Sequence, residues 1–267
     1  MIEQLRVEPG TEAGIAQRDA RDTLGLDGKK AAAARMQEVG ARLAELQERL
    51  YAEASRSVLL VLQGLDASGK DGVIRAVFTG LNPQGCRVTS FKAPTQAELA
   101  RDPLWRVHAV VPARGEIGIF NRSHYEDAVT VRVLDLAPKA VTDRRPRHIR
   151  EWERMLVDEG TTLVKVFLNV SEERQRERLQ ERVDDPAKQW KFNPGDLDVR
   201  KRFDAFIRGY EDVINATSTP WAPWHVVPAD RNWVKSLAVA ELLLDALERI
   251  DPKLPDPPPG IAGLKIE

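Results

Sequence analysis

Ser-Val-Leu-Leu-Val-Leu-Gln at residues 57–63 runs directly into Gly-Leu-Asp-Ala-Ser-Gly-Lys-Asp at residues 64–71. The first segment is a continuous apolar run, which is typical of a strand buried in a parallel sheet. The second has the G-x-x-x-x-G-K spacing of a phosphate-binding loop, where glycines let backbone N–H groups approach an anion. A helix that begins at Lys70 adds the positive end of its dipole. Together the two segments predict a phosphate site at the end of a buried strand.

The loop departs from the common pattern at its eighth position. Ser or Thr usually stands there and holds magnesium, whereas this chain has Asp71 and a second carboxylate, Asp66, inside the loop. An ordinary surface turn is the alternative interpretation. The hydrophobic strand before the loop and the apolar residues 73–78 after it favour a phosphate loop. Its predicted members besides Lys70 are Gly64, Ala67, Ser68, Gly69, Asp71 and Gly72.

Bulk composition narrows the class of protein. The 267 residues include 40 Lys and Arg against 41 Asp and Glu, so overall charge does not favour binding to nucleic acid. The longest apolar runs have about five residues, far short of a membrane span of about 20. Cys86 is the one cysteine in the sequence, which excludes an internal disulfide and a cysteine metal cluster. We expect a cytoplasmic protein with no nucleic-acid or membrane partner.

Strand-like and helical segments alternate after residue 56, which predicts an α/β fold with a parallel sheet covered by helices on both sides. The predicted strands are 57–63, 87–91, 116–121, 162–170 and 224–227, and the predicted later helices are 172–183, 198–215 and 234–250. We expect an N-terminal extension with an amphipathic helix at 1–54, an α/β domain with the phosphate loop at 55–250 and an extended proline-rich tail at 251–267.

A second polar cluster follows the strand at 116–121. Asn121 stands where a Walker B strand usually ends in Asp, and Asp127 is a candidate to hold magnesium together with Asp66. Arg122 has the planar donor fork that clamps a phosphoryl group. Ser123 and Glu126 also fit a helix capping box, which is an equally good interpretation of that pair.

Three arginines at spacing four lie on one predicted helical face and lead into a loop with Lys188, Trp190 and Lys191. The arginines are Arg174, Arg178 and Arg182. Such a row suits a lid that covers phosphate, but the interleaved glutamates fit an ion-paired, solvated face equally well. Basic runs at 29–30, 144–150 and 200–202 are candidates for a track along a long anion. The loop at 229–232 lies where P-loop kinases often hold the base.

The phosphate loop, the Asn-Arg-Ser-x-Tyr-Glu-Asp segment at 121–127 and the arginine row together resemble the polyphosphate kinase family 2. The resemblance runs from about Lys29 to the last helix, and the combined motifs are more specific than either motif alone. It implies a three-layer α/β/α P-loop kinase fold, similar to thymidylate kinases, with a helical lid at about 172–197. It also implies magnesium-dependent phosphoryl transfer between inorganic polyphosphate and nucleotides.

The same resemblance implies roles for individual residues. The implied catalytic residues are Asp66, Lys70, Arg122, Asp127, Arg178 and Arg182, with Asp66 and Asp127 organising Mg²⁺. Nucleotide binding is implied for Glu126, Arg132 and Lys191, and polyphosphate binding for Lys29 and Lys30. Residues 123–127 look like the class III subgroup, which accepts AMP and ADP; members restricted to ADP tend to have Asn where Glu126 stands. The family resemblance also suggests a homo-oligomer.

Two alternatives remain open at this level. An ATP-using nucleoside monophosphate kinase has the same loop and lid, although Asp71 and Asn121 disfavour it. A non-catalytic module that binds polyphosphate or nucleotide would leave the carboxylates without a catalytic role.

Overall fold

A six-stranded sheet forms the centre of the computed structural model, which describes residues 1–261 and 264. The strand order is β1-β6-β5-β2-β4-β3. The strands are β1 (Arg6–Val7), β2 (Ser57–Gln63), β3 (Cys86–Ser90), β4 (Ile117–Asn121), β5 (Thr161–Asn169) and β6 (Trp224–Pro228). β1 pairs antiparallel with β6, and the other neighbouring pairs are parallel.

The five predicted strands are confirmed, each within one residue of its expected ends. β2 lies between β4 and β5, and all seven of its residues are buried. A strand that is covered by helices on both faces and paired on both edges needs apolar side chains in both directions. This explains why its sequence is a continuous apolar run.

Twelve α-helices connect and cover the strands within the described residues. They are α1 (Lys29–Glu53), α2 (Lys70–Phe78), α3 (Gln96–Leu99), α4 (Trp105–His108), α5 (Tyr125–Ala128), α6 (Thr130–Val133), α7 (Lys139–Thr142), α8 (Arg145–Asp158), α9 (Glu172–Asp184), α10 (Gly195–Lys201), α11 (Phe203–Thr217) and α12 (Asn232–Ile250). None of the helices in this described part is long and apolar enough to cross a membrane.

The helices complete the expected three-layer arrangement. α12 packs on the sheet and against α1 and α2, while α8 and α11 pack together on the other side. One hydrophobic core joins the sheet to these helices and includes Leu43, Leu46 and Leu50 of α1. The amphipathic helix predicted in the N-terminal extension therefore packs on the kinase-like domain.

Residues before α1 contribute more to the core than their polar sequence indicates. Leu5, Val7 and Ile15 are buried in the same core as the sheet. The backbone N–H groups of Gly14 and Ile15 donate to the Glu211 carboxylate at 2.6 and 2.7 Å. Because β1 has two residues and its partners lie about 200 residues away in the chain, no local periodicity reports it.

One predicted helix is interrupted. The sequence predicts a continuous helix over 198–215, whereas the structure has α10 and α11 separated at Arg202, where φ is −109° and ψ is 23°. The Arg202 guanidinium donates to the Val133 carbonyl at 3.0 Å, which fixes the break against α6. α12 ends at Ile250, as predicted. Of the predicted tail, residues 262–263 and 265–267 lie outside the described residues.

Candidate active site

The glycine-rich loop lies at the carboxyl end of β2, between the ends of β4 and β5. The chain passes from β2 to β3 and β4 on one side of β2, and then crosses to β5 on the other. A reversal of this kind opens a crevice beyond the carboxyl ends of the strands, where α/β proteins bind ligands. The predicted phosphate loop and the polar segment after β4 therefore border one crevice.

Two glycines are required by the shape of the loop. Gly64 has a φ of +144°, and a Cβ there would lie 2.8 Å from Ser68 Oγ and 2.9 Å from the Leu168 carbonyl. Gly69 has a φ of +99°, and a Cβ there would collide with Lys235 Nζ. Ala67 also has a positive φ, 62°, which is uncommon for a residue with a side chain. The G-x-x-x-x-G spacing thus reflects a tight local conformation.

Lys70 is buried beside the loop, with 7% of its surface exposed. Its ammonium group donates to the carbonyls of Gly64 at 2.7 Å and Leu65 at 3.1 Å. Burial lowers the pKa of Lys70 to about 8, and repulsion by Arg122 adds to the shift. Asp66 and other nearby carboxylates oppose that shift without forming an ion pair with Lys70.

The two residues that depart from the common P-loop pattern contact each other. The Asn121 side-chain amide donates to Asp71 Oδ1 at 2.7 Å. Asn121 at the end of β4 brings an amide donor, and Asp71 at the eighth loop position accepts its hydrogen bond. The two unusual residues thus form a pair that joins the loop to β4.

Arg122 occupies a strained position immediately after β4. Its φ is +61°, a conformation that costs a non-glycine residue free energy and is often found at functional sites. Its guanidinium pairs with Asp66 and lies 3.4 Å from Glu126 Oε2. Burial opposes the charge, but Glu126 and Asp66 raise the pKa of Arg122 above its usual range. Arg122 is therefore a permanent cation at the centre of the crevice.

Glu126 is held by several donors. Thr130 Oγ1 donates to Glu126 Oε2 at 2.7 Å, and the Gln63 amide, oriented to satisfy both groups, donates to Oε1 at 2.9 Å. The alternative interpretation of Ser123 and Glu126 as a capping box is wrong. α5 begins at Tyr125, and Ser123 Oγ accepts from the Tyr125 N–H at 3.2 Å instead.

Asp127 lies next to arginines. Its carboxylate is 3.8 Å from Arg106, and the Arg145 guanidinium donates to its backbone carbonyl. Burial raises the pKa of Asp127, and Arg106 opposes that rise. Asp66 has a different partner, Arg122, so the two carboxylates predicted to share magnesium have separate neighbours. Sequence analysis did not identify Arg106, which lies in the short helix α4 and outside the recognised motifs.

Asp196, at the beginning of α10, is a second carboxylate beside Asp66 that the sequence did not single out. It pairs with Arg182 at 3.2 Å. Burial and the nearby Asp66 raise the pKa of Asp196. Within residues 1–261 and 264, no three His, Cys, Asp or Glu side chains form a group that could hold a metal by themselves. Carboxylates placed in this way can hold a divalent cation only together with other ligands, such as substrate phosphates.

The arginines of the predicted row lie on one helix, α9, but have different partners. Arg174 pairs with Glu177 and Glu181, as the solvated-face interpretation predicts. Arg178 instead points to the phosphate loop. It donates to the carbonyls of Ala67 and Ser68 and to three acceptors after β6, namely the carbonyls of Ala229 and Asp230 and the Asn232 side chain. The solvated-face interpretation is therefore confirmed for Arg174, while a lid that covers phosphate stays a prediction.

Lys235 was missed by sequence analysis because it lies within an otherwise apolar stretch of α12. It is 1% exposed, and its ammonium donates to the Ser68 carbonyl at 2.9 Å. Burial lowers the pKa of Lys235 to about 7, and repulsion by Arg178 and Arg174 contributes. Lys70, Arg178 and Lys235, which we call the loop cations, thus surround the phosphate loop.

The other predicted site residues have neighbours outside the phosphate loop or are exposed. Arg132 is 3.5 Å from Asp212, Lys191 lies over the Trp190 ring at 5.1 Å, and Gly72 is exposed in the first turn of α2. Lys29 and Lys30 are exposed at the start of α1. None of these four charged residues has a hydrogen bond to the loop within the described part of the chain. Their implied roles stay predictions.

A buried ionic cluster supports the polar segment after β4 from behind. Lys165 of β5 donates to Glu153 at 2.6 Å, to the Thr217 carbonyl at 2.8 Å and to the Tyr125 hydroxyl at 3.2 Å. Tyr125 donates to the same Glu153 carboxylate at 2.7 Å. The neighbours of Arg122 and Glu126 in the chain are therefore anchored to the sheet.

A parallel sheet, a glycine-rich loop with a buried lysine and a crevice lined by arginines and carboxylates define a phosphotransferase of the P-loop kinase type. The family model described as Polyphosphate kinase 2 matches residues 26–255. The chain belongs to the polyphosphate kinase 2 family.

Individual relatives agree with this assignment. The chain is 49% identical to an AMP/ADP-polyphosphate phosphotransferase of Meiothermus ruber over the full length of both proteins. It is 42% identical to an ADP-polyphosphate phosphotransferase of Rhodopseudomonas palustris, covering 82% of this chain and 80% of that one. The crystal structure of polyphosphate kinase 2 from Arthrobacter aurescens superposes with a TM-score of 0.93 at 43% identity, covering 97% of this chain and 93% of that one.

Proposed function

We propose that this protein transfers phosphoryl groups from inorganic polyphosphate to AMP and ADP, forming ADP and ATP. One observation carries the proposal. The three loop cations, Lys70, Arg178 and Lys235, bond to carbonyl and amide oxygens, and none has a carboxylate ion pair among residues 1–261 and 264. Buried positive charge without a counter-ion is costly, so the site is built for an anion that the ligand supplies. A chain of phosphates meets that need.

The loop after β6 disfavours the ATP-using alternative. In that alternative, residues 229–232 would be free to hold the base of a nucleotide donor. Here the carbonyls of Ala229 and Asp230 accept from Arg178, and the Asp230 N–H donates to the Ala20 carbonyl at 3.1 Å. Arg231 donates to the Arg21 carbonyl. The chain itself occupies these groups, which suits a donor that has neither base nor ribose.

The chemistry asks mainly for positioning and charge stabilisation. An oxygen of the acceptor's terminal phosphate attacks the terminal phosphorus of polyphosphate. One P–O bond forms, another breaks, and the donor leaves shorter by one phosphate. The backbone N–H groups of the loop and the Lys70 ammonium hold the donor, and Arg122 and Arg182 neutralise charge on the transferred group. Asp66, together with Asp196, would hold Mg²⁺, which supplies further neutralisation of phosphate charge.

Acceptance of both AMP and ADP rests on Glu126. The relative named for both acceptors is 49% identical to this chain, and the relative named for ADP alone is 42% identical. Glu126 lies beside Arg122, where it balances part of the positive charge at the acceptor side. AMP brings less negative charge than ADP, so a carboxylate at this position suits the acceptor with the smaller charge.

One assay tests the proposal against its alternatives. The purified protein is incubated with AMP, Mg²⁺ and polyphosphate, with ATP omitted, and nucleotides are separated by chromatography. ADP followed by ATP is the expected result. Product formation with ATP as donor but not with polyphosphate would select a nucleoside monophosphate kinase. Binding of polyphosphate without turnover would select a non-catalytic module.

A further inference from the structure

Lys235 belongs to no motif, yet its contacts converge on the phosphate loop from behind. Its ammonium donates to the Ser68 carbonyl at 2.9 Å and lies 3.5 Å from the Ala229 carbonyl. The Lys235 ammonium fits there because Gly69 has no side chain. A Cβ at Gly69 would collide with Lys235 Nζ. Buried lysines are rare, and this one has a backbone carbonyl as its principal partner.

Arg178 reaches the same part of the loop from α9. It donates to the Ala67 carbonyl at 3.0 Å and to the Ser68 carbonyl at 3.1 Å. The Ser68 carbonyl therefore accepts from two cations that come from different helices. Since the peptide group is planar and trans, fixing this carbonyl also fixes the Gly69 N–H, which points in the opposite direction. That direction leads away from the two cations.

We infer that Lys235 is a positioning residue for phosphoryl transfer. Its ammonium, with Arg178, holds the Ser68–Gly69 peptide so that the loop N–H groups face the polyphosphate donor before it binds. Lys235 does not touch the donor, because it is 1% exposed and lies behind the loop. This inference rests on the proposed function, since the ligand that the loop positions is polyphosphate.

A purely structural role would give Lys235 a different environment. Lys165, the buried lysine that anchors the segment after β4, has a carboxylate partner in Glu153. Removing the Lys235 ammonium leaves no orphaned acceptor, because Arg178 continues to donate to the carbonyls of Ser68 and Ala229. Replacement by an apolar side chain of similar length therefore spares the fold, while the loop loses one of its two tethers.

The test compares Lys235→Met with Lys235→Gln, which keeps a hydrogen-bond donor without the charge. Lys253→Met is the matched control, since Lys253 is exposed and pairs with Asp251 after the end of α12. Steady-state kinetics with AMP and polyphosphate are measured beside the melting temperature. For Lys235→Met we expect kcat to fall and the KM for polyphosphate to rise, with kcat/KM lower by about tenfold to a hundredfold.

Lys235→Gln is expected to recover part of this loss, and Lys253→Met to match the wild type. The melting temperature of Lys235→Met should equal or exceed that of the wild type. Unchanged kcat and KM for polyphosphate in folded Lys235→Met would overturn the inference. So would a lower melting temperature with unchanged kcat, which is the signature of a structural lysine. Failure of the wild type itself to use polyphosphate would count against the proposed function instead.

Discussion

Two buried lysine environments support different segments of the candidate active site and are built in opposite ways. Lys165, behind the β4–α5 segment, donates to Glu153, Tyr125 and the Thr217 carbonyl and is fully buried with its counter-ion. Among residues 1–261 and 264, the acceptors of Lys70 and Lys235 at the phosphate loop are carbonyls alone. The first arrangement is complete without a ligand, and the second is not.

This difference separates a structural ion pair from the proposed binding site. Burial lowers the pKa of Lys165, but the Glu153 carboxylate opposes the shift. At the phosphate loop the pKa falls to about 8 for Lys70 and to about 7 for Lys235, because burial is reinforced there by neighbouring cations. A phosphate chain would supply the missing negative charge. Paired charge thus holds the site segment in place, and unpaired charge lies at the loop that we propose holds the donor.

Breaking the Lys165–Glu153 ion pair should have the largest effect, on the stability of the fold. Lys165→Met leaves the Glu153 carboxylate buried and unpaired, so we expect the free energy of unfolding to fall by about 3–5 kcal/mol. Urea denaturation followed by circular dichroism measures the change. The double variant Glu153→Gln with Lys165→Met removes both charges and should recover much of the stability. A Lys165→Met protein as stable as the wild type would show that the ion pair does not stabilise the fold.

Removing the unpaired charge nearest the loop should affect catalysis rather than stability. We expect Lys70→Met to lower kcat with polyphosphate by about 10²–10³-fold, as for loss of a preorganised donor to a developing charge. Because the ammonium has no carboxylate ion pair in the described part of the chain, the melting temperature should not fall. A well-folded Lys70→Met protein with nearly normal turnover would refute the assignment of the loop.

The pH dependence of stability sharpens the comparison at Lys235. Its pKa of about 7 in the folded protein lies below its ordinary value of 10.5, because burial and repulsion by Arg178, Arg174 and Lys70 outweigh attraction by Asp230. The unfolded chain therefore binds more protons between about pH 7 and 10.5, and wild-type stability rises with pH in that window.

Lys235→Met removes this dependence. Its free energy of unfolding should exceed that of the wild type by about 1–4 kcal/mol below pH 7, with the difference shrinking toward pH 10.5. Paired urea titrations at several pH values measure the difference. A gap that widens as the pH rises would contradict the assigned sign.

Replacing Glu126, which lies beside Arg122, should have a smaller effect, on the choice between AMP and ADP as acceptor. Glu126→Asn removes a carboxylate while keeping a polar side chain. We expect kcat/KM for AMP to fall by about tenfold relative to kcat/KM for ADP, which corresponds to about 1.4 kcal/mol. The two acceptors are compared at the same polyphosphate concentration. Equal losses for AMP and ADP would show that Glu126 does not discriminate between them.

An element of the fold could be predicted from the sequence when consecutive residues carried its pattern. β2 and its loop were predictable because a buried strand and a phosphate loop each constrain consecutive residues. β1 was not, because two residues carry no periodicity and their partners are distant in sequence. The antiparallel edge of the sheet is therefore visible in the structure alone.

The candidate site divides in the same way. Lys70 and Arg122 lie in recognisable motifs, whereas Lys235, Arg106 and Asp196 reach the crevice from elements that look ordinary in sequence. Even within the predicted arginine row, spacing placed three side chains on one face but did not reveal that Arg178 alone turns toward the loop carbonyls. Those contacts depend on how α9 lies relative to the phosphate loop and to the residues that follow β6.

Proton uptake on polyphosphate binding tests most directly whether the negative charge of the donor compensates the unpaired lysines at the phosphate loop. At pH 8 the free protein has Lys70 about half protonated and Lys235 largely neutral, since their pKa values are about 8 and about 7. Bound phosphate raises both pKa values, so binding should take up about one proton per site. Titration calorimetry in two buffers of different protonation enthalpy counts these protons. Uptake in the wild type that is reduced in Lys235→Met is the predicted result, whereas binding without proton uptake would contradict the account.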